Sequence, residues 1–157
     1  MTQPQSQHGK NFSAIAVGAF ANLTQYQFTI PDNGFTVAGK YFLKDPLQLT
    51  GAEISLNHLP PQHGIPFLHK HHQNEEVYLF VRGVGEFQVD GETFPIQEGA
   101  MVRVAPDGSR GIRNTSETEP LCWIVVQARV DSQPDSTIAD GFAVARSVRW
   151  PERDGDF

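Results

Sequence analysis

The segment His69-Lys70-His71-His72-Gln73-Asn74-Glu75-Glu76 places two alternating histidines and a carboxylate at the start of a strand-forming run. Five of the six histidines of the chain lie between positions 58 and 72, which even scatter would not produce. In an extended chain, side chains two residues apart point to the same side, so His69 and His71 can share one face. A turn after them would return Glu76 to the two imidazoles. The segment therefore predicts either a metal site, since two imidazoles and a carboxylate suit a divalent metal, or a polar turn with solvated histidines.

This segment begins the first of two motifs, which are separated by a hairpin. The first motif is His-x-His, then a Glu, then a Gly after six further residues, and it is matched by His69, His71, Glu76 and Gly83. The second motif is a Gly, then Pro-x-Gly, then an Asn, and it is matched by Gly99, Pro106, Gly108 and Asn114. Asp90-Gly91 predicts a tight type I′ turn between the two motifs. Over roughly residues 49–129, this arrangement resembles the two signature motifs of the cupin superfamily.

Short strand patterns separated by turn residues fill the middle of the chain. They cover residues 35–42, 52–59, 76–81, 85–89, 93–96, 101–105 and 121–130. So many short strands predict an all-β sandwich or barrel, and the resemblance narrows this to a cupin jelly-roll antiparallel β-barrel with an N-terminal strand extension. The predicted organisation is an N-terminal arm with extension strands at 1–48, a cupin barrel core at 49–130, and a C-terminal strand and tail at 131–157. Residues 13–23 carry the one weak helix signal.

The second motif departs from the cupin pattern where a histidine should supply a fourth metal ligand. Counting back from Asn114, its place is held by Arg110, and counting forward from Gly108, by Gly111. Pointing inward, Arg110 would grip a carboxylate or phosphate through its planar guanidinium. Pointing outward, it would be a solvated or salt-bridged surface residue, and the sequence alone favours this position. Arg110 is nevertheless one of the candidate ligand-binding residues.

The remaining set, His69, His71 and Glu76, looks like a two-histidine, one-carboxylate metal site. Such a set favours iron(II), while zinc, manganese and nickel accept similar ligands. Glu75 would replace Glu76 only if the turn were one residue shorter, and only Glu76 gives the six-residue gap to the motif glycine. His72 is an alternative ligand if the strand is irregular there.

Further candidates for the barrel interior follow from strand parity. Tyr78 and Phe80 share the parity of the carboxylate ligand, so they are expected to line the same cavity, or else to pack as ordinary core residues. Gln127, near the end of the last long strand, offers an amide to a ligand. His58 could reach the cavity from its own strand but fits an edge or core position better, and His63 lies in a Pro-rich loop.

Composition excludes several classes of protein. The net charge of −6 disfavours non-specific electrostatic binding to nucleic acid or to an anionic membrane. No apolar stretch approaches the ~20 residues of a membrane span, and residues 1–10 carry no signal-peptide pattern, so we expect a cytoplasmic protein. A single cysteine, Cys122, excludes an intramolecular disulfide framework.

The leading hypothesis is a small metal-binding cupin that acts on a small polar or anionic molecule. The resemblance implies dioxygenase, isomerase or decarboxylase chemistry without choosing among them. The alternative is a metal-poor binding module for a sugar or small acid, in which Arg110 and aromatic residues carry recognition. A third hypothesis is a metal-free isomerase with one histidine as base. A homodimer is expected because cupins of this size often dimerise and a short barrel leaves apolar faces to cover.

Overall fold

The structure is a computed structural model, and it describes residues 3–31 and 34–150. The strands are β1 (Ser6–His8), β2 (Ser13–Ile15), β3 (Gln27–Thr29), β4 (Thr36–Ala38), β5 (Lys40–Phe42), β6 (Glu53–Leu59), β7 (Asn74–Arg82), β8 (Val84–Val89), β9 (Glu92–Gln97), β10 (Met101–Val104), β11 (Arg110–Asn114) and β12 (Leu121–Arg129). A 3-10 helix covers Phe20–Gln25, and a single helical turn, α1, covers Lys44–Leu47.

Two antiparallel sheets form the barrel. One sheet has the strand order β10-β7-β12-β6-β5, and the other has the order β11-β8-β9. Between them lies a hydrophobic core in which the ring of Phe80 contacts those of Phe87 and Trp123. The prediction of an all-β cupin jelly-roll is therefore confirmed. Short hairpins, β1-β2 and β3-β4, precede the barrel strands.

Glycine and turn chemistry set the strand boundaries. Asp90 and Gly91 both have positive φ, as the type I′ turn requires, and they join β8 to β9. Gly83 has φ +88°, and a Cβ there would lie 2.3 Å from the carbonyl oxygen of Pro120, so only glycine fits between β7 and β8. Gly39, at φ +81°, divides the predicted strand 35–42 into β4 and β5.

The N-terminal extension covers the outer face of β6. Val17, Leu23 and Leu43 form a second apolar cluster, against which Ile54 and Leu56 of β6 pack. Because strand faces alternate, this places the polar side chains of β6 on the barrel interior. The predicted helix at 13–23 is wrong, since β2 and the 3-10 helix occupy that region. The predicted homodimer stays a prediction.

The described part of the C-terminal segment, residues 131–150, forms turns and bends in place of the predicted strand. The predicted tail residues 151–157 and the first two residues of the arm lie outside the described residues. Where the arm is described, β1 pairs with β2. No helix in residues 3–31 and 34–150 is long and apolar enough to cross a membrane.

Candidate metal and ligand site

Backbone pairing holds the histidine segment against the opposite sheet. His69 and Arg110 exchange both backbone hydrogen bonds, with N···O distances of 3.3 and 3.2 Å. The backbone N–H of His71 donates to the carbonyl of Pro106 at 3.1 Å. Bends at residues 72 and 73 then lead into β7, whose third residue is Glu76. The predicted turn therefore exists, and it returns the carboxylate to the two imidazoles.

The three predicted metal ligands converge on one point inside the barrel. His71 Nε2 lies 3.1 Å from Glu76 Oε1, and His69 Nε2 lies 3.7 Å from Glu76 Oε2. One ligand atom from each residue can be chosen so that all three lie within 4.8 Å of one another. Metal–donor bonds of ~2.1 Å place neighbouring donors ~3.0–3.4 Å apart in octahedral or tetrahedral geometry. The His71–Glu76 distance of 3.1 Å lies in that range, and two imidazoles with a carboxylate suit a divalent metal.

Arg110 points into the barrel, which corrects the outward position that the sequence favoured. Its side chain is 1% exposed, and Nε and Nη2 donate to Glu76 Oε2 at 3.0 and 2.8 Å. The Tyr78 hydroxyl donates to the same oxygen at 2.6 Å. Arg110 Nη1 also donates to the carbonyl of Gly108 at 2.8 Å. Arg110 faces inward because Ile112 and Asn114, which share its parity on β11, are buried as well.

This arrangement divides the two oxygens of Glu76 between two tasks. Oε2 receives the three donors from Tyr78 and Arg110, whereas Oε1 is contacted by His71. Carboxylates that ligate metals are commonly fixed in this way, with one oxygen held by hydrogen-bond donors of the protein. Oε1 is therefore the oxygen left to bind a metal together with His71 Nε2, while His69 Nε2 lies 3.7 Å from Oε2.

Burial and hydrogen bonding set the charge state of the site. Burial alone would raise the pKa of Glu76, but the neighbouring imidazoles of His69 and His71 and the hydrogen bond from Tyr78 outweigh it and hold that pKa well below its usual range. Burial, followed by the charge of Glu76, raises the pKa of Tyr78 far above its ordinary value. At neutral pH, Glu76 is therefore a carboxylate, and Tyr78 is a neutral hydrogen-bond donor.

Gln127 lies beside His71. It pairs with Glu76 across β12 and β7, and its side-chain nitrogen lies 2.9 and 3.0 Å from the two ring nitrogens of His71. Of the two predicted aromatic residues, Tyr78 borders the cavity, while Phe80 lies in the hydrophobic core against Phe87 and is 2% exposed.

The alternative ligands lie elsewhere. Glu75 forms an exposed ion pair with Arg103, so Glu76 is the residue that faces the interior. His72 and His63 are exposed. His58 is buried on β6, opposite in parity to Ser55 and Asn57; it borders the cavity but lies outside the cluster of three predicted ligands, and burial lowers its pKa.

A cavity of about 610 Å³ opens from the three ligands toward the N-terminal extension. Its far wall contains Lys40, Ser55 and Asn57, none of which the sequence reasoning selected. The alternation of polar residues with Ile54 and Leu56 along β6 is the signal that could have found two of them. The polar face of β6 can be assigned to the barrel interior only if the apolar face is covered from outside. The N-terminal extension provides that cover.

An antiparallel barrel that closes around two histidines and a glutamate defines a small, single-barrel protein of the cupin class. The family model of the cupin domain matches residues 55–127. A cupin protein from Bacteroides fragilis is 36% identical, and the match covers 76% of this chain and 96% of that protein, with a TM-score of 0.63. The chain therefore belongs to the cupin superfamily.

Two further solved structures share a lower identity with this chain. A predicted oxalate decarboxylase from Thermotoga maritima is 24% identical, with a TM-score of 0.57, over 73% of this chain and all of that protein (100%). At this identity the likeness shows the fold alone. A putative sugar phosphate isomerase from Acidithiobacillus ferrooxidans is 26% identical over 59% of each chain, with a TM-score of 0.51. No curated protein matches the chain.

Proposed function

We propose that this cupin holds one divalent metal, iron(II) in preference to zinc, manganese or nickel, through His69, His71 and Glu76. The observation that carries the proposal is that the two carboxylate oxygens of Glu76 have different partners. Arg110 and Tyr78 fix one carboxylate oxygen, and the other lies 3.1 Å from His71 Nε2, with His69 Nε2 3.7 Å from the fixed oxygen. Bound there, such a metal would activate dioxygen or polarise a carbonyl group of a bound molecule.

The charges of the site favour an anionic molecule in the cavity. Arg110 balances the charge of Glu76, so the protein ligands leave the full charge of a divalent ion uncompensated. A site with that excess charge in a low-dielectric cavity attracts anions. The likeness to a putative sugar phosphate isomerase supports the same class of small anionic molecule. The side-chain amide of Gln127 would orient it beside the histidines.

Metal analysis tests the proposal directly. Protein purified without chelator should contain about one metal ion per chain, and chelator-treated protein should bind Fe²⁺ anaerobically with the same stoichiometry. His71→Ala should weaken binding by more than the ~10–100-fold typical of removing a group that only supports a metal ligand. His72→Ala is the matched control, because it removes an exposed imidazole one residue away and should leave binding unchanged. Equal binding by wild type and His71→Ala would contradict the proposal.

A second candidate, a metal-free binding module for a small acid, is favoured by the guanidinium at the place of the fourth ligand. Arg110→His separates the two candidates, with Arg110→Gln as the control that removes the charge without adding an imidazole. If the site is a metal centre, Arg110→His should bind Fe²⁺ about tenfold or more tightly than Arg110→Gln, since it completes a four-ligand set. Equal, negligible binding by both variants and by wild type would favour the binding module.

A further inference from the structure

The far wall of the cavity contains a buried polar cluster built around Lys40. Lys40 Nζ donates to Asn57 Oδ1 at 2.8 Å and to Ser55 Oγ at 3.2 Å. Ser55 and Asn57 are only 3% and 4% exposed, and both project inward from β6. Asn57 Nδ2 donates to Ser55 Oγ as well, at 3.1 Å. The cluster is thus tightly connected and faces the same cavity as the three proposed metal ligands.

Two donors of this cluster have no acceptor within the described part of the chain. Lysine carries three N–H groups, and Lys40 uses two of them. Ser55 Oγ accepts two hydrogen bonds, from Lys40 and Asn57, so its own hydrogen remains to be donated. Buried donors are nearly always paired in folded proteins. A group that accepts from both would complete the cluster.

The charge of Lys40 is not paired either. Its two partners are neutral, and no carboxylate of the described residues forms an ion pair with Nζ. The carboxylates that act on it from a distance are Glu76, which is bound by Arg110, and Glu53, which accepts backbone N–H groups of Leu43 and Lys44. Lys40 is partly buried, and a partly desolvated cation without a contacting anion favours a ligand that supplies the negative charge.

Aromatic side chains border the cluster toward the N-terminal extension. Lys40 Nζ lies 4.8 Å from the centre of the Phe42 ring, and Phe28 packs edge-on against Phe42 at 4.9 Å. Phe28, Phe42 and Val37 line the cavity and are partly exposed to it. A ligand that reaches Lys40 therefore places its apolar part against aromatic rings.

We propose that Lys40 and Ser55 form an anchor for the carboxylate of a small aromatic acid, whose body lies along Phe28 and Phe42. One unused N–H, one unused O–H and a single positive charge match a monoanionic carboxylate better than a dianionic phosphate. This deepens the proposed function by naming the class of anion, and it rests on that proposal only in treating the cavity as the substrate site.

Calorimetric titration of the full chain with phenylacetate, in chelator at pH 7, tests the anchor independently of any metal. We expect saturable binding with a Kd of about 1 mM or below, and binding of the neutral isostere phenylacetamide about tenfold or more weaker. Lys40→Met should weaken phenylacetate binding by about 10–100-fold, and Ser55→Ala by a smaller factor. Lys44→Met, which removes an exposed lysine on α1, should match wild type.

Several results would overturn the anchor. Equal binding of phenylacetate and phenylacetamide would show that charge is not recognised. Wild-type affinity in both Lys40→Met and Ser55→Ala would remove the two donors from the site. Tighter binding of phenyl phosphate than of phenylacetate would assign the cluster to a phosphate, and no saturable binding of phenylacetate would exclude aromatic acids. Because chelator is present throughout, none of these outcomes depends on whether the metal proposal holds.

Discussion

Arg110→Met is expected to lower the free energy of unfolding by about 3–5 kcal/mol, because it removes one partner of a buried ion pair. Arg110 is 1% exposed and makes two hydrogen bonds to Glu76 Oε2, which also accepts from Tyr78. Methionine fills part of the volume but leaves the carboxylate buried without its cation. The cost is that of the stranded charge rather than the net contribution of the pair.

Urea denaturation at pH 7 in chelator measures this effect, and Arg103→Met is the matched control. Arg103 also pairs with a glutamate of β7, but its partner is Glu75 and the pair is on the surface. Exposed pairs contribute about 0–1 kcal/mol, so Arg103→Met should change stability little. A double variant, Arg110→Met with Glu76→Gln, should recover part of the loss because no buried charge is stranded. Equal losses for Arg103→Met and Arg110→Met would contradict the burial argument.

Strand parity predicted the two faces of β7 correctly at these positions. Glu76 and Tyr78 were placed on one face and Glu75 on the other, and the structure has them so. The reason is that β7 is a long strand with a regular alternation and a glycine, Gly83, at a fixed distance from the carboxylate. Regular alternation and glycine spacing can both be recognised in a single sequence without a structure.

Arg110 could not be placed in the same way because β11 was not predicted. Its sequence, Arg-Gly-Ile-Arg-Asn, contains one apolar residue and two charges, which is an atypical strand. It forms because it pairs with β8 along its whole length. Once the strand is recognised, the burial of Ile112 fixes the inward direction of Arg110.

The polar wall of the cavity was missed for a different reason. Along β6, apolar Ile54 and Leu56 alternate with polar residues, a pattern that in a strand with one covered face would put Ile54, Leu56 and His58 on the interior. The N-terminal extension covers that face from outside, so the interior face is the one with Ser55 and Asn57. A strand covered on both sides has no solvent face, and its polar side cannot be identified without knowing what covers the apolar one.

Lys40 should give the stability of the wild type a pH dependence that Lys40→Met lacks. Burial lowers the pKa of Lys40 from 10.5 to about 8, against the opposing charges of Glu76 and Glu53. Below pH 8 both the folded and the unfolded chain carry the proton, so the folded state bears the full cost of the buried charge. Between about 8 and 10.5 the unfolded chain still binds the proton while the folded chain has released it.

Stability must therefore rise with pH across that window, because the unfolded state binds more protons there. A shift of this size corresponds to a gain of about 3 kcal/mol at most. In urea denaturation from pH 7 to 10.5, the free energy of unfolding of wild type should rise relative to that of Lys40→Met by up to that amount. The free energy of unfolding of Lys44→Met should follow that of wild type. Tyr41 and Tyr78, whose pKa values burial raises, titrate in all three proteins and cancel in the difference.

The sign of this difference separates a functional lysine from a structural one. A lysine retained for stability would have a contacting carboxylate and a raised pKa, and its contribution to stability would fall as the pH rises. Lys40 has neutral partners, so its charge opposes folding at neutral pH while its two hydrogen bonds support Asn57 and Ser55. Saturating phenylacetate should flatten the wild-type curve, because a bound carboxylate stabilises the protonated lysine in the folded state. If the stability of wild type falls between pH 8 and 10.5 relative to that of Lys40→Met, Lys40 is paired with an anion of the protein in solution and is not available to a ligand.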